Sequence, residues 1–293
     1  MNIKPTPNYS SKAPKPEQNQ VNIGNLPEWN LSDLYCSPST KQIGLDLEQV
    51  KKLSDSFTEK YQNKLSKLSA AEMLRCLQKK EKIASLIGRL TTFASLRYYQ
   101  MTTDPARTKL LSDIQDKVTE YSSKLVFFSL EFNTLEDDHL NDLTYENSEL
   151  ARYKTVFSRM RAMKPYQLGD EVENFIHQQS AVGAAAWNKL FDETVSKLKF
   201  NINKESLSIE EVLNKFSDND RSIRKKAATE LSSVLKENLP LFSRITNTLA
   251  KEKSIEDNLR KFPNPQFSRH LANDVEPQVV DALRNAVVES YSR

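Results

Sequence analysis

Three polar residues near the end of the sequence, Arg269, His270 and Asn273, have the types and spacing of a substrate-binding group. Arginine suits carboxylates because its planar fork of donors bonds both oxygens at once. Histidine and asparagine can bond the backbone of a peptide. We predict that these three residues contact a peptide backbone or carboxylate. A structural alternative stays open, in which they tie their own loop to neighbouring helices through backbone carbonyls.

The elements expected to position this group are two helices and the loop between them. Pro263 and Pro265 cannot lie inside a helix, so they should end the first one. Residues 268–274 are then predicted to form a polar loop, and Pro277, at a favoured first-turn position, to open the second helix. The first helix is predicted from one apolar stripe, formed by Leu241, Ile245, Leu249 and Ile255.

No other residues match a catalytic or metal-binding spacing. The histidines are His139, His177 and His270, and none has a second histidine four positions later, the spacing that places two zinc ligands on one helical face. Cys36 and Cys76 fit no metal or redox motif, which favours two reduced thiols. No glycine-rich phosphate loop or G-x-S-x-G motif occurs. We therefore predict no catalytic residue and no metal ligand in these 293 residues.

Composition narrows the classes of protein further. With 42 Lys and Arg against 39 Asp and Glu, the net charge of +3 is too balanced for a dedicated nucleic-acid binder. No apolar run approaches the roughly 20 residues that cross a membrane, and the first residues have no hydrophobic signal core. We expect a cytoplasmic protein with neither nucleic acid nor membrane as a partner. Only five glycines argue against a turn-rich β fold.

The predicted fold is mainly α, with long antiparallel helices and one short β-hairpin. Residues 1–25, which are polar and contain prolines, are predicted to be a disordered tail. An N-terminal helical domain is predicted over 26–165, and a second region over 166–293. Helices are expected at 46–63, from a capping box at Ser69 to about Tyr99, from Asp104 to about Phe132, and at 149–163, with an acidic turn region at 135–147 and a hairpin at 195–209.

Several phrases, taken in order, carry a resemblance to a known family. They are Leu-Phe-Asp-Glu at 190–193, Asn-Thr-Leu-Ala-Lys at 247–251 and the longer stretch 242–283. Together they resemble the oligoendopeptidase F branch of the thimet-oligopeptidase-like (M3) zinc metallopeptidases, over about residues 26–293. The resemblance implies a clamshell of helices around a deep channel that admits short peptides. It also implies a zinc ion that polarises the scissile carbonyl and activates a water molecule.

The same resemblance exposes a deficit. The family binds zinc through a His-Glu-x-x-His helix and a downstream glutamate, and neither motif is in this sequence. The chain therefore resembles the N-terminal half of such a peptidase, with residues 166–293 as an incomplete start of the catalytic lobe. The implied partners are short peptides and a complementary C-terminal half that supplies the zinc. The alternative is a non-catalytic helical module, a split or degenerate half that binds peptide or a complementary chain.

Overall fold

The computed structural model describes residues 28–292. The tail predicted over residues 1–25 lies outside them. Every element given below belongs to one compact unit, Leu31–Arg293. The domain boundary predicted near residue 165 stays a prediction.

The first part of this unit is entirely helical over its described residues. Its helices are α1 Lys41–Tyr61, α2 Ala70–Gln100, α3 Pro105–Ser123, α4 Val126–Thr134, α5 Asp137–Glu146, α6 Ser148–Ala151 and α7 Lys154–Ala162. The second part contains a hairpin among helices. Its elements are α8 Asp170–Gln179, α9 Ala184–Lys197, β1 Phe200–Ile202, β2 Glu205–Leu207, α10 Ile209–Asn214, α11 Arg221–Glu237, α12 Leu239–Arg260, α13 Phe267–Asn273 and α14 Pro277–Ser290. The predicted fold class, mainly α with one short hairpin, is confirmed.

The long helices begin where the sequence places their caps. Ser69 and Glu72 form the predicted capping box at the start of α2, which satisfies two backbone N–H groups reciprocally. Asp104 accepts a hydrogen bond from the Ala106 amide at 2.8 Å, and Pro105 fills the first turn of α3. Helices α2 and α3 pack against each other across the connection 101–104.

The main hydrophobic core lies among the first seven helices. Its largest fully buried side chains include aromatic rings from α1, α2 and α4, for example Phe57, Phe93, Phe128 and Phe132. A smaller cluster lies between the hairpin and α11, with Phe200 as its largest member. Helices α8, α9, α13 and α14 contain no buried residue among those described.

The hairpin is shorter than predicted and starts later. Strand β1 pairs antiparallel with β2, Ile202 facing Glu205 across a two-residue turn. Both turn residues, Asn203 and Lys204, have positive φ angles of 52° and 74°, as a type I′ turn requires. The alternation that predicted a strand from Val195 was misleading, because α9 continues to Lys197.

Three helix predictions in the first part were also wrong in detail. The helix expected to run to Phe132 breaks between α3 and α4, and the one expected over 149–163 is divided into α6 and α7. The acidic region 135–147 is not a turn but mostly the helix α5. Asp137 and Asp138 lie in its first turn, where negative charge suits the helix dipole. Leu140 and Leu143, three positions apart, are buried on its inner face.

Within residues 28–292, no helix combines the length and apolar character that a membrane span requires.

Candidate functional site

The segment predicted to be a polar loop, 268–274, is instead the short helix α13. Phe267 anchors its start, because the ring packs against Tyr166 and Phe262 with centroid distances of 5.0 and 5.7 Å. Asp274 ends the helix with a left-handed φ of 54°. The amide of Val275 donates to the carbonyl of His270 at 3.1 Å, which closes the last turn. The helix therefore fixes the directions of the predicted binding residues.

The helix separates the three predicted residues rather than gathering them. Arg269 is exposed and lines a cavity of about 660 Å³, here called the arginine cavity, which Arg159 and Arg260 also line. Asn273 is exposed and shares a face with Arg269, since residues four apart lie one above the other. His270 is half-buried and points to another side of α13. Neither His270 nor Asn273 lines the arginine cavity.

The arginine cavity lies between α12, α13 and the end of α7. Lys253 of α12 donates to Ser268 at 3.0 Å, which holds the two helices together at this point. Arg159 of α7 forms an exposed ion pair with Asp274 at 3.4 Å. Arg269, in contrast, makes no side-chain hydrogen bond or ion pair to another described residue. Its guanidinium is available to a carboxylate or a carbonyl.

Arg260 is the buried anchor of this region. It is 8% exposed, and its two terminal nitrogens donate to Glu173 at 2.7 and 3.0 Å. Its Nε donates to Glu256 at 2.7 Å. Burial alone raises the pKa of Glu173, but the hydrogen bonds from Arg260 and from the Leu168 amide, with the positive charge, hold it below its ordinary value. This network ties α8 to the end of α12.

A larger cavity of about 920 Å³, here called the tyrosine cavity, lies beside the first. Tyr98 and Tyr99 of α2 line it together with parts of α3, α8, α9 and α12. The two cavities share Ala184, Glu252 and Glu256, so they adjoin along α12. Sequence reasoning missed this cavity. The signal was the run of alanines at 184–186, whose small side chains leave the space open.

Glu252 stands where the cavities meet. Its Oε1 accepts a hydrogen bond from the Ala184 amide at 3.1 Å, which caps the positive end of α9 from a neighbouring helix. A Cβ atom at Gly183 would lie 2.3 Å from the same oxygen, so glycine permits the approach. The contact fixes α9 against α12 and sets the width of the groove.

Two polar groups in the tyrosine cavity have no partner among the described residues. The Tyr98 hydroxyl belongs to a side chain that is 2% exposed, and it makes no hydrogen bond. Burial, with the charges of Glu193 and Asp192, raises the pKa of Tyr98 to about 12. Asp192, half-buried in α9, has no ion-pair or hydrogen-bond partner for its carboxylate within residues 28–292. Lys189, by contrast, already donates to Ser112 at 2.8 Å.

The zinc that the resemblance implies does not fit the residues present. Within residues 28–292 there is no group of three or more His, Cys, Asp or Glu side chains placed to hold a metal ion. His177 is engaged with the Ser122 hydroxyl at 3.0 Å. The described chain thus offers surfaces that can bind a ligand, and no metal centre that can act on it.

Comparison with known proteins agrees with this architecture. The family model described as Oligopeptidase F, for the N-terminal part of M3 peptidases, matches residues 131–200. The crystal structure of oligoendopeptidase-F from Enterococcus faecium superposes with a TM-score of 0.74 at 18% identity, covering 84% of this chain and 50% of that one. The crystal structure of a putative peptidase from Chlamydophila abortus gives 0.54 at 16% identity, covering 90% and 45%. No curated protein matches significantly.

The predicted resemblance is therefore confirmed, as a resemblance to an N-terminal part of oligoendopeptidase F. At these identities the solved structures establish a shared fold. The chain spans about half the length of each of them.

Proposed function

We propose that this chain supplies one peptide-binding wall of a zinc oligopeptidase of the oligoendopeptidase F type. The zinc ligands and the general base would lie in polypeptide outside these 293 residues. The observation that carries the proposal is the pair of adjoining cavities, about 920 and 660 Å³, set in a fold shared with half of oligoendopeptidase-F. Cavities of this size are typical of ligand sites.

In this proposal the residues of the chain bind and orient a short peptide, and they take no part in metal chemistry. Arg269 would contact a backbone carbonyl or a terminal carboxylate in the arginine cavity. His270 and Asn273 would contact a peptide that continues past the cavity around α13. Two unbonded cysteines suit a reducing compartment, so we place the protein in the cytoplasm. Short peptides are the proposed ligands, with no role for nucleic acid or membrane.

A second function is favoured by a separate observation. Helices α8, α9, α13 and α14 have no buried residue in the described chain, and the faces of α14 expose Val279, Leu283 and Val288 by 55%, 67% and 53%. Contiguous exposed apolar surface marks an interaction site. The chain would then be a non-catalytic module that binds peptide or a complementary half.

The test of the first proposal measures binding and hydrolysis separately. A fluorescein-labelled octapeptide with blocked ends should bind the purified chain in the presence of a chelator, with anisotropy saturating in the micromolar to millimolar range. The variant Arg269→Ala should weaken binding about fivefold to tenfold, as loss of a charge-assisted hydrogen bond does. Arg284→Ala is the matched control, because Arg284 is an exposed arginine of α14 outside both cavities.

Hydrolysis distinguishes the two functions. With zinc added, the chain alone should leave a quenched fluorescent peptide uncut. Cleavage on addition of the second half of the E. faecium protein would support the split peptidase. Binding without any cleavage would support the non-catalytic module. Chelator-sensitive cleavage by the chain alone, or the absence of peptide binding, would overturn the proposal.

A further inference from the structure

The tyrosine cavity has an unusual balance of polar groups for a pocket with an apolar lining. Its walls carry four carboxylates, on Asp116, Asp192, Glu252 and Glu256, and one ammonium, on Lys189. The two glutamates are engaged, with the Ala184 amide and with Arg260 respectively. The ammonium of Lys189 is also engaged, with Ser112. The acceptors left without a partner in the described chain are the two aspartates.

A second, independent observation lies in the same cavity. The Tyr98 hydroxyl is buried and unbonded, although its residue is 2% exposed. A buried hydroxyl without a partner costs free energy, so such groups are rare in folded proteins. Asp192 lies close enough to affect the pKa of Tyr98, which places the hydroxyl and the free carboxylate in one corner of the cavity. Both groups accept hydrogen bonds, so the missing ligand should be a donor.

The remaining walls indicate what the donor is attached to. Phe175 is 61% exposed, and Ile255 and Leu259 are each 51% exposed, so apolar side chains face the open part of the cavity. The ring of Tyr99 adds an aromatic face, on which cations bind favourably. A cation carried on an apolar stem satisfies both the corner and the walls.

We propose that the tyrosine cavity binds the positively charged side chain of a short peptide, with the Asp192 carboxylate and the Tyr98 hydroxyl as its hydrogen-bond acceptors. This inference rests on the proposed function, since it names the class of peptide. It makes the chain selective for lysine or arginine flanked by apolar residues. Asp116, exposed at the edge of the cavity, adds attraction that salt weakens.

The test compares three labelled peptides on the intact chain. The first is acetyl-Ala-Phe-Lys-Phe-Ala-amide, the second carries norleucine in place of lysine, and the third is the norleucine peptide with a free amino terminus. We expect the lysine peptide to bind at least roughly tenfold more tightly than the acetylated norleucine peptide. Equal gain from the free amino terminus would identify the peptide terminus, not the side chain, as the cation, and would overturn the proposal as stated.

The variants locate the site. Asp192→Asn should abolish the preference for lysine and leave binding of the norleucine peptide unchanged. Tyr98→Phe should reduce the preference severalfold without lowering the melting temperature, because no bond within the described protein is lost. Asp113→Asn, which removes an exposed carboxylate of α3 outside the cavity, is the control for net charge.

The outcomes separate this inference from the proposed function. If the lysine and norleucine peptides bind equally, or if Asp192→Asn keeps the preference, the cationic pocket is wrong and peptide binding stands. If no peptide binds, the proposed function fails, and the inference fails with it. A fall in melting temperature in Tyr98→Phe would show that the hydroxyl has a structural partner.

Discussion

Replacing Glu173 by glutamine should destabilise the protein through the buried charge that it leaves behind. Arg260 is 8% exposed and the Glu173 side chain 14%, and two parallel hydrogen bonds join them. Removing one partner of a buried ion pair costs about 3–5 kcal/mol. Glu256 still holds one guanidinium nitrogen at 2.7 Å, and glutamine keeps one acceptor. We therefore expect a loss of about 2–3 kcal/mol of unfolding free energy.

The assay is urea denaturation followed by circular dichroism at pH 7, with thermal unfolding as a second measurement. By the scaling for domains of 150–250 residues, the melting temperature should fall by about 4–12 °C. The matched control is Glu48→Gln on α1. Glu48 also pairs with a basic residue, Lys52, at 2.8 Å, but their side chains are 58% and 73% exposed. The control should leave the urea midpoint unchanged, since exposed pairs contribute little.

The pH dependence follows from the lowered pKa of Glu173. A carboxyl group whose pKa is lower in the folded state stabilises the protein above its unfolded-state pKa, about 4.3 for glutamate. That stabilisation is lost as the pH falls through the folded-state value. The gap between wild type and Glu173→Gln should be complete at pH 7 and should narrow below about pH 4. A gap under about 0.5 kcal/mol at pH 7, the range of ordinary surface changes, would refute the reasoning.

Two further predictions test other parts of the described structure. Cys36 is exposed, whereas burial raises the pKa of the Cys76 thiol to about 12, so one thiol should react with Ellman's reagent at pH 8 and the second only after unfolding; two prompt equivalents would contradict this. Glu131→Gln should lower the unfolding free energy by about 1–2 kcal/mol in urea, because one of two backbone N–H groups loses its acceptor, and an unchanged midpoint would contradict it. Those groups are the amides of Asn63 and Leu65, at 2.7 and 2.6 Å from the carboxylate.

The sequence was sufficient where local signals decide the structure. The start of α2 at the Ser69 capping box and the start of α3 after Asp104 follow from side chains within three residues. Pro277 likewise opens α14 as predicted. The mainly α fold class follows from the helical period of apolar residues, which recurs over most of the described chain.

The sequence was insufficient where a distant residue decides the structure. The apolar period runs without interruption past Lys124, yet α3 ends at Ser123. The carbonyl of Lys124 accepts a hydrogen bond from Thr58 of α1 at 3.0 Å, a contact across 66 positions that no local pattern reveals. The stretch 268–274 was taken for a loop because its residues are polar. Packing of Phe267 on Tyr166 supports a helix there instead.

The candidate site shows the same division. Arg269 was found from its residue type, and the structure places it on a cavity. The grouping with His270 and Asn273 assumed that a loop can display neighbours together, whereas a helix turns them to different sides. Tyr98 and Asp192, 94 positions apart, meet only through the packing of α2 with later helices, so sequence spacing alone gave no reason to pair them.

The central claim is that the chain binds peptides and carries no zinc centre of its own. The most direct measurement titrates a labelled, end-blocked peptide with the purified chain in chelator, then follows cleavage of the same peptide after zinc is added. The account predicts saturable binding in chelator, weakened by Arg269→Ala, and no cleavage with zinc. Zinc-dependent cleavage by the chain alone, or no binding at millimolar protein, would contradict it.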